Sequence, residues 1–342
     1  MKILIVGANS NYAIERFYLK YLAEIPGVQV ELFEAQNMFL SYYQKSLFTK
    51  IIFRLGYQNI YDKINSALSE RIVTMEPEII FVFKGMEIYP KTLRWAKSKG
   101  IKLVNYNPDN PFIFSGRGSG NSNISNSISL YDFHFTYNLE VKKIIEDKYN
   151  IPAYWLPFGF DIPEGLFESI SDLKEIVKTS FVGNPDGNRI KFLFGLAEKG
   201  IAVDLYGNNW KKFLHHKNIN IYPAVYGSEF WKTIRQYRVQ LNPLRKHNLD
   251  SHGMRSFEIP AIGGIMLAPV TSEHIKFFKD GEESFFYMDP EDAVLKINDV
   301  LSLSQNEANK IRNNAREKSL SSGYSYKHRV NELYKILKCL ET

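Results

Sequence analysis

Short apolar runs alternate with segments of helical periodicity along the whole chain. Residues 2–6 (KILIV) predict a buried strand, a helical pattern follows over residues 13–25, and residues 28–33 predict a second strand. Strand, helix and strand in this order form a βαβ unit, which implies a parallel sheet. The alternation starts again at residue 176, after a Pro-rich stretch at residues 157–163. The pattern therefore predicts an α/β protein with two parallel-sheet domains.

A chain of 342 residues is long for a single domain, which agrees with this division. We expect an N-terminal domain, a linker, a C-terminal domain and a final helix that could cross back to the N-terminal domain. Their predicted bounds are residues 1–160, 161–175, 176–322 and 323–342. Because parallel sheets bind ligands at the carboxyl ends of their strands, we expect the two sheets to face a central cleft.

One segment of the N-terminal half, residues 39–76, is aromatic and basic. Apolar residues recur in it at helical spacing, at Leu47, Ile51, Ile52, Leu55, Ile60 and Ile64. We favour helices that pack on the sheet through these residues. The alternative is an exposed basic-aromatic face that contacts a membrane or a lipid-linked acceptor.

The densest group of candidate functional residues lies in residues 239–267 (VQLNPLRKHNLDSHGMRSFEIPAIGGIML). A buried strand, a polar loop at residues 242–253 and a short helix at residues 254–262 are predicted there. The first turn of a helix has free N–H groups and partial positive charge, so the loop and helix start predict an anion site. The charged residues around it are Arg245, Lys246, His247, Asp250, Arg255 and Glu258.

Composition limits the cellular compartments and the classes of partner that fit this chain. The start, MKILIVGANSN, predicts a first strand rather than a signal peptide, and no apolar run approaches the roughly 18 residues that span a bilayer. The only cysteine, Cys339, excludes an internal disulfide, so we expect a cytoplasmic protein. The net charge of +6 would suit an anionic ligand, a nucleic acid or an anionic membrane face, and ordinary solubility explains it as well.

Two motifs are missing from the sequence. The glycine fingerprint G-x-G-x-x-G is absent around Gly7, which disfavours a dehydrogenase. No Asp-x-Asp motif is present, so we expect no metal ion and no cofactor. The remaining candidates for function are therefore the side chains of the charged loops.

Four loops of the C-terminal half are predicted to reach the carboxyl edge of its sheet, at residues 183–189, 207–210, 224–229 and 242–255. Arg189 and Arg255 could bind a diphosphate there, because the planar fork of arginine matches phosphate oxygens. Glu258 could accept hydrogen bonds from ribose hydroxyls, and Asp250 from sugar hydroxyls. In the N-terminal half Asp109 follows a predicted strand and is the candidate on the acceptor side.

The chain resembles the GT-B glycosyltransferases, and its C-terminal half is most similar to the CgeB-like branch. In that half the resemblance rests on FVG at residues 181–183 with Arg189, LYGNNW at 205–210, LNPLR at 241–245, MRSFEIPAIGGIML at 254–267 and EHIKFFKDGEESFFY at 273–287. In the N-terminal half it rests on FKGMEIYPKTL at 83–93, PDNP at 108–111 and LPFGFD at 156–161. It implies two Rossmann-like domains in the GT-B arrangement.

The resemblance also implies roles for single residues. Retaining enzymes of this fold bind the donor with two Glu separated by seven residues and with a glycine between them. The resemblance places Asp250 at the first acid, Gly253 at the glycine and Glu258 at the last acid. Asp250 departs from the pattern, since it is shorter than Glu by one methylene. The implied donor-binding residues are Gly183, Arg189, Gly207, Asn242, Arg245, His252, Gly253, Arg255 and Glu258. The implied catalytic residues are Asp109, Asp250 and Arg255.

The implied function is transfer of a sugar from a nucleotide diphosphate-sugar to an acceptor hydroxyl, retaining and metal-independent, in cell-surface glycan synthesis. The acceptor would be a glycan or a lipid-linked molecule, with peripheral membrane contact and no nucleic acid as partner. A nucleotide-sugar epimerase or hydrolase of the same fold is the first alternative, and it would need more acids in the N-terminal loops than Asp109. A non-enzymatic module that binds glycan or nucleic acid is the second, and it would need a continuous basic face.

Overall fold

The computed structural model describes residues 1–11, 13–57, 59–114, 118–245 and 250–339. The chain divides into two compact units. Unit 1 comprises Met1–Pro157 together with the C-terminal segment from Arg329, and unit 2 comprises Phe158–His328. Across the described residues, the structure contains no helix that is both long enough and apolar enough to cross a membrane.

Unit 1 is built on a six-stranded parallel sheet in the order β2-β1-β3-β4-β5-β6. Its strands are β1 Lys2–Val6, β2 Gln29–Phe33, β3 Ile79–Phe83, β4 Lys102–Asn107, β5 Phe133–Thr136 and β6 Ala153–Trp155. Strand β3 is a continuous apolar run and β1 is apolar after Lys2, as expected where helices cover both faces of a sheet. The order reverses between β1 and β3, which are hydrogen-bonded neighbours.

The α-helices that the structure describes between Met1 and Pro157 surround this sheet or pack on one another. They are α1 Glu15–Ala23, α2 Ala35–Tyr43, α3 Leu47–Leu55, α4 Ile60–Met75, α5 Pro90–Ser98, α6 Ser122–Ser125 and α7 Leu139–Tyr149. Helix α4 buries Ile60 and Ile64 in the core of the unit, as the helical pattern predicts.

Helix α3 corrects one prediction. Leu47, Ile51 and Leu55 were expected to pack on the sheet, but they are 78%, 51% and 63% exposed, and no residue of α3 is buried. The helix packs on α2 instead, where the ring of Phe53 lies 5.0 Å from that of Phe39. Apolar periodicity predicted the helix correctly, but it could not show that α2 and α4 already cover the sheet.

Unit 2 repeats the architecture with a six-stranded parallel sheet in the order β12-β11-β10-β7-β8-β9. Its strands are β7 Ile176–Val182, β8 Val203–Tyr206, β9 Ile219–Tyr222, β10 Tyr237–Leu241, β11 Met266–Pro269 and β12 Phe285–Tyr287. The order reverses between β7 and β10. Strand β9 has no counterpart in the sequence-based prediction, because its run INIY is short and half polar.

The remaining helices begin in unit 2. They are α8 Leu166–Ser169, α9 Gly187–Glu198, α10 Gly227–Gln236, α11 Arg255–Ala261, α12 His274–Phe277, α13 Pro290–Ser302, α14 Gln305–Ser321 and α15 Tyr326–Lys338. Helix α15 passes from unit 2 into the C-terminal segment of unit 1 at Arg329. The predicted two parallel-sheet α/β domains are confirmed.

Candidate functional site

The reversal of strand order in unit 2 gathers the candidate donor residues. Where the order reverses, the loops that leave two neighbouring strands run to opposite sides, and a crevice opens at the carboxyl edge of the sheet. The two strands are β7 and β10, paired at Ser180 and Gln240. Gly183 directly follows β7 and Asn242 directly follows β10. Both loops of candidate residues therefore start at one point of the sheet.

Arg189 connects these two loops. It lies in the first turn of α9, where its Nε donates to the Pro243 carbonyl at 3.1 Å and its Nη1 to the Asn184 carbonyl at 3.2 Å. Its guanidinium also lies 5.2 Å from the ring centre of Phe181. Asp186 caps the start of α9 and pairs with Arg189 at 3.3 Å. Arg189 is thus held in place by backbone and aromatic contacts.

The surroundings of Arg189 are strongly positive. Burial lowers the pKa of its guanidinium to about 10, and the positive charges of Arg245 and Arg255 act in the same direction, against the opposing effect of Asp186. Arg245 reaches the same Asp186 carboxylate at 4.0 Å. Among the described residues, Arg189, Arg245 and Arg255 repel one another and have only two carboxylates, Asp186 and Glu258, as partners. They therefore favour an added anion, because the anion relieves the repulsion.

Arg255 and Glu258 form an ion pair one turn apart on α11. The guanidinium of Arg255 lies 4.1 Å from the ring centre of Phe230, which fixes its plane. Its Nε is buried and has no hydrogen-bond partner among the described residues. Glu258 is 7% exposed and engages Arg255 through Oε2, and a carboxylate has capacity for further donors. Both residues keep unused hydrogen-bonding capacity.

A buried polar network joins the end of β10 to the start of α11. The Asn242 amide donates to Ser256 Oγ at 3.0 Å, and the Gly253 N–H donates to the same oxygen at 3.2 Å. His274 Nε2 lies 2.8 Å from Ser256 Oγ, and its Nδ1 lies 2.8 Å from the Pro269 carbonyl. Burial lowers the pKa of His274 to about 4, so the imidazole is neutral and its Nε2 accepts from Ser256. Asn242 and Gly253 thereby have structural partners.

His252 has protein partners on both ring nitrogens. Its Nε2 accepts from the Phe158 N–H at 3.2 Å, which leaves Nδ1 to donate to Glu273 at 2.5 Å. Ser251 donates to the same Glu273 oxygen at 2.6 Å. His252, Ser251 and Glu273 are all at least 99% buried. The geometry gives this histidine a clear role in fixing the loop.

Asp250 has a left-handed backbone conformation with φ of 54°. Its Oδ1 accepts from the Ser272 N–H at 2.7 Å, which ties the loop to the segment after β11. The residue is exposed. One carboxylate oxygen of Asp250, the residue predicted to bind the sugar, is therefore already engaged in holding the loop. Lys246 and His247 lie outside the described residues.

Gly183 and Gly207 directly follow β7 and β8, and their backbones lie in close contact. A Cβ on Gly207 would stand 2.2 Å from the Gly183 carbonyl oxygen and 2.8 Å from Trp210 Nε1. The Trp210 indole donates to that carbonyl at 2.8 Å. Glycine at 207 is required by this close approach of two backbones, which gives the residue a structural role.

Unit 1 places a different set of charges at its own reversal of strand order. Lys84 directly follows β3 and has φ of 61°, an uncommon conformation for a residue with a side chain. Its Nζ donates to Asp109 Oδ2 and to the Gly118 carbonyl, both at 2.6 Å. Asp109 follows the end of β4 by two residues. The structure thus brings the predicted acceptor residue to the carboxyl edge of the sheet and pairs it with a lysine.

Two buried acids lie near this lysine. Burial raises the pKa of both Glu15 and Glu87, and the positive charge of Lys84 opposes that rise in each. Glu15 Oε1 accepts from the Ala8 N–H at 3.0 Å, and a Cβ on Gly7 would lie 2.7 Å from that oxygen. Lys84, Glu15 and Glu87 were not predicted as site residues, although Lys84 and Glu87 lie in the segment FKGMEIYPKTL at residues 83–93. The signal available for Glu15 was its place at the start of the predicted helix that follows the Gly7 loop.

The described residues contain no group of three His, Cys, Asp or Glu side chains arranged to hold a metal ion. Positive charge at the unit 2 site comes instead from Arg189, Arg245 and Arg255. The arrangement in unit 2 can bind an anion beside a carboxylate that accepts hydroxyl hydrogens. The arrangement in unit 1 can bind a neutral polar group.

Comparison with known protein families gives a match in the C-terminal half. A family model described as glycosyl transferase-like matches residues 189–335, from Arg189 through Glu258 to the last turn of α15. A comparison with curated proteins finds no match.

Solved structures resemble the chain over its whole length. Sucrose-phosphate synthase from Thermosynechococcus elongatus has a TM-score of 0.69 at 11% identity, with 99% of each chain covered. HepE from Anabaena in complex with UDP-glucose has a TM-score of 0.65 at 11% identity, with 99% of this chain and 100% of that chain covered. UDP-GlcNAc 2-epimerase from Neisseria meningitidis bound to UDP-GlcNAc has a TM-score of 0.58 at 13% identity, with 100% of both chains covered.

The chain has the GT-B fold. The predicted enzyme class, a glycosyltransferase, is confirmed by the family match in the C-terminal half together with this fold. Neither comparison identifies the CgeB-like branch, which stays a prediction. The donor, the stereochemistry and the acceptor belong to the proposal that follows.

Proposed function

We propose that this glycosyltransferase binds a nucleotide diphosphate-sugar at the carboxyl edge of the unit 2 sheet and transfers the sugar to an acceptor hydroxyl. The observation that carries the proposal is the cluster of Arg189, Arg245 and Arg255 beside the buried Glu258. Arg189 and Arg255 would bind the diphosphate, with Arg245 at its exposed side. Glu258 would accept hydrogen bonds from the ribose hydroxyls.

The same arginines act on the main barrier of the reaction. As the bond between the sugar C1 and the diphosphate oxygen breaks, negative charge grows on the departing diphosphate. Arg189 and Arg255 are already held by backbone and aromatic contacts, so they stabilise this charge without reorganising. Because three guanidinium groups supply the positive charge, we propose a metal-independent reaction, which predicts full activity after treatment with EDTA.

For the stereochemistry we propose retention. The acceptor oxygen bonds to C1 on the face from which the diphosphate leaves, and the acceptor proton passes to a diphosphate oxygen. Asp250, with one oxygen on the Ser272 N–H, would contact the sugar through the other. His252 would position the loop rather than touch the donor, since both of its nitrogens have protein partners. The anomer formed, followed by NMR, tests this assignment.

On the acceptor side we propose that Asp109 binds the attacking hydroxyl, with Lys84 holding the carboxylate in place. The acceptor would be a glycan or a lipid-linked molecule of cell-surface glycan synthesis. Two structures of this fold hold UDP-glucose and UDP-GlcNAc, so UDP-sugars are the first donors to test.

A thermal-shift screen against UDP-, GDP-, TDP- and CMP-sugars tests the proposal. A bound donor stabilises the folded protein by mass action and so raises its Tm. At a donor concentration of 100 Kd the free energy of unfolding rises by about 2.7 kcal/mol. We expect at least one donor to do so in the native protein and the Glu258→Ala variant to lose the shift. If no donor shifts the Tm, or if the variant responds as strongly as the native protein, the donor site is wrong.

A specific observation favours one alternative, a nucleotide-sugar epimerase. The sequence offered only Asp109 as an acid on the N-terminal side, whereas the structure adds the buried Glu15 and Glu87 near Lys84. Incubation of the protein with UDP-GlcNAc and no acceptor separates the two functions. Rapid formation of the epimer would show an epimerase and overturn the transferase proposal. A donor that stays unchanged would support the transferase.

A further inference from the structure

Helix α3 is formed by local interactions at both ends. Ser46 and Thr49 form a reciprocal capping box at its start, and Gly56 ends it in the left-handed conformation. These caps satisfy backbone groups that would otherwise stay free, so the helix does not depend on burial of an apolar face.

One side of α3 is anchored and the other is exposed. On the anchored side the ring of Phe53 lies 5.0 Å from Phe39, 5.5 Å from Tyr43 and 5.8 Å from Tyr61. The exposed side carries four large apolar residues, which we call the α3 face, at Leu47 (78% exposed), Phe48 (69%), Ile51 (51%) and Leu55 (63%). Their spacing places them on one stripe of the helix. A contiguous apolar surface of this kind marks an interaction site.

Charge identifies the partner. Lys50 and Arg54 are adjacent on the helix beside the α3 face, and Lys45 lies just before the helix. From Ala35 to Tyr61 the sequence has these three cations and no Asp or Glu. A surface that is apolar in the middle and basic at the edge is complementary to an anionic lipid surface.

We propose that α3 docks this protein on an anionic phospholipid bilayer. The α3 face enters the boundary between headgroups and acyl chains, while Lys45, Lys50 and Arg54 face the lipid phosphates. A helix of nine residues is about 14 Å long, so it lies in the plane of the surface and does not cross it. A second copy of the chain is the less suitable partner, because two α3 faces in contact would bring their cations together. The proposal is independent of the donor chemistry.

Sedimentation with vesicles tests the proposal without any sugar donor. The protein is mixed with phosphatidylcholine vesicles that contain about 30% phosphatidylserine, and with pure phosphatidylcholine vesicles, at about 0.1 M and about 0.5 M salt. We expect binding to the anionic vesicles that weakens at the higher salt. The double variant Leu47→Ser/Ile51→Ser should bind more weakly by at least about tenfold, since both side chains lose their apolar contact. Lys50→Gln/Arg54→Gln should weaken binding by roughly 10- to 30-fold.

The control is Leu295→Ser/Leu320→Ser, which removes leucines that are 63% and 48% exposed on α13 and α14. It should bind vesicles as the native protein does, and all variants should keep the native Tm. The proposal is overturned if the native protein ignores anionic vesicles, or if the control loses binding as strongly as the α3 variants. It is also overturned if Leu47→Ser/Ile51→Ser dissociates a dimer in sedimentation equilibrium while vesicle binding stays intact, because the partner is then a second copy.

Discussion

The two sheets share a topology rule but carry opposite chemistry at the corresponding place. In unit 2 the reversal of strand order gathers Arg189, Arg245 and Arg255, whose charges repel one another. In unit 1 it gathers Asp109, Glu15 and Glu87 around the single Lys84. Each edge is a place where a parallel sheet binds ligands, so the fold alone does not say which edge binds the donor and which binds the acceptor. The charge of the side chains supports the proposed assignment, because cations stabilise a diphosphate and a carboxylate can bind an acceptor hydroxyl.

The two edges also differ in how they are held. The unit 2 arginines are fixed by carbonyl oxygens and aromatic rings. Within the described part of the chain, the three of them face two carboxylates, Asp186 and Glu258, so one positive charge is in excess. In unit 1 Lys84 and Asp109 neutralise each other at 2.6 Å, and the left-handed Lys84 concentrates backbone strain there. A fixed excess of positive charge is suited to stabilise negative charge that develops during the reaction. A neutralised pair is suited to a neutral partner.

The largest expected effect comes from the unit 2 edge. Arg255→Met should lower kcat/KM by about 10²- to 10³-fold, because one fixed donor to the developing negative charge is lost. Steady-state kinetics with the donor found by thermal shift would measure it. Lys178→Met, which removes an exposed cation on β7, is the matched control and should leave kcat/KM unchanged. An Arg255 variant as active as this control would remove the arginine from the mechanism.

A change at the unit 1 edge should affect the acceptor and spare the donor. Asp109→Asn is expected to lower the rate of transfer by about 10- to 100-fold, as for loss of a hydrogen bond to a charged group. The Tm shift by donor should stay native. Lys84→Met should act in the same direction, whereas Lys97→Met should not, since its pair with Asp132 lies at the amino edge of the sheet. Loss of donor binding in Asp109→Asn would break the division between the two edges.

A smaller effect tests the backbone contact behind the unit 2 edge. Gly207→Ala should lower the free energy of unfolding by about 1–3 kcal/mol, because its Cβ meets the Gly183 carbonyl. Gly195→Ala is the control: its Cβ meets nothing within 4 Å in the interior of α9, so it should gain about 0.5–1 kcal/mol. Urea unfolding of both variants measures the difference. Equal stability of the two would contradict the close approach of the backbones.

The smallest effect is a change of pH dependence at the unit 1 edge. Burial raises the pKa of Glu15 above its ordinary 4.5, so the folded protein holds this proton more tightly than the unfolded chain. The stabilisation is complete below pH 4.5 and is lost as the pH rises through the folded pKa. Relative to the native protein, Glu15→Gln should therefore gain stability from pH 4 to pH 8. A Tm difference that does not vary over this range would contradict a buried, titrating Glu15.

Local patterns in the sequence predicted much of the fold. Strand β1 was predicted with its bounds, and the short helix predicted at residues 254–262 corresponds to α11, Arg255–Ala261. Arg255 and Glu258 were also predictable as neighbours, since residues three apart share one face of a helix. These features depend on contacts between residues close in the sequence.

Other features depend on contacts between residues far apart in the sequence. The pair of Lys84 and Asp109 joins residues 25 positions apart, and nothing near Lys84 in the sequence indicates its left-handed backbone. The sequence predicts Asp109 as a site residue but not the lysine that holds it. The exposure of α3 likewise depends on which helices cover the sheet first, and apolar periodicity is the same for a buried and an exposed stripe.

Calorimetric titration with UDP tests the central claim most directly, because UDP carries the ribose and the diphosphate without the sugar or the acceptor. It would be measured on the native protein, Arg255→Met and Lys84→Met, with GDP in place of UDP if the donor screen selects it. We predict that Arg255→Met binds at least about tenfold more weakly, from loss of a charged hydrogen bond, and that Lys84→Met binds as the native protein does. Full affinity in Arg255→Met with weakened binding in Lys84→Met would place the nucleotide at the other edge and contradict the account.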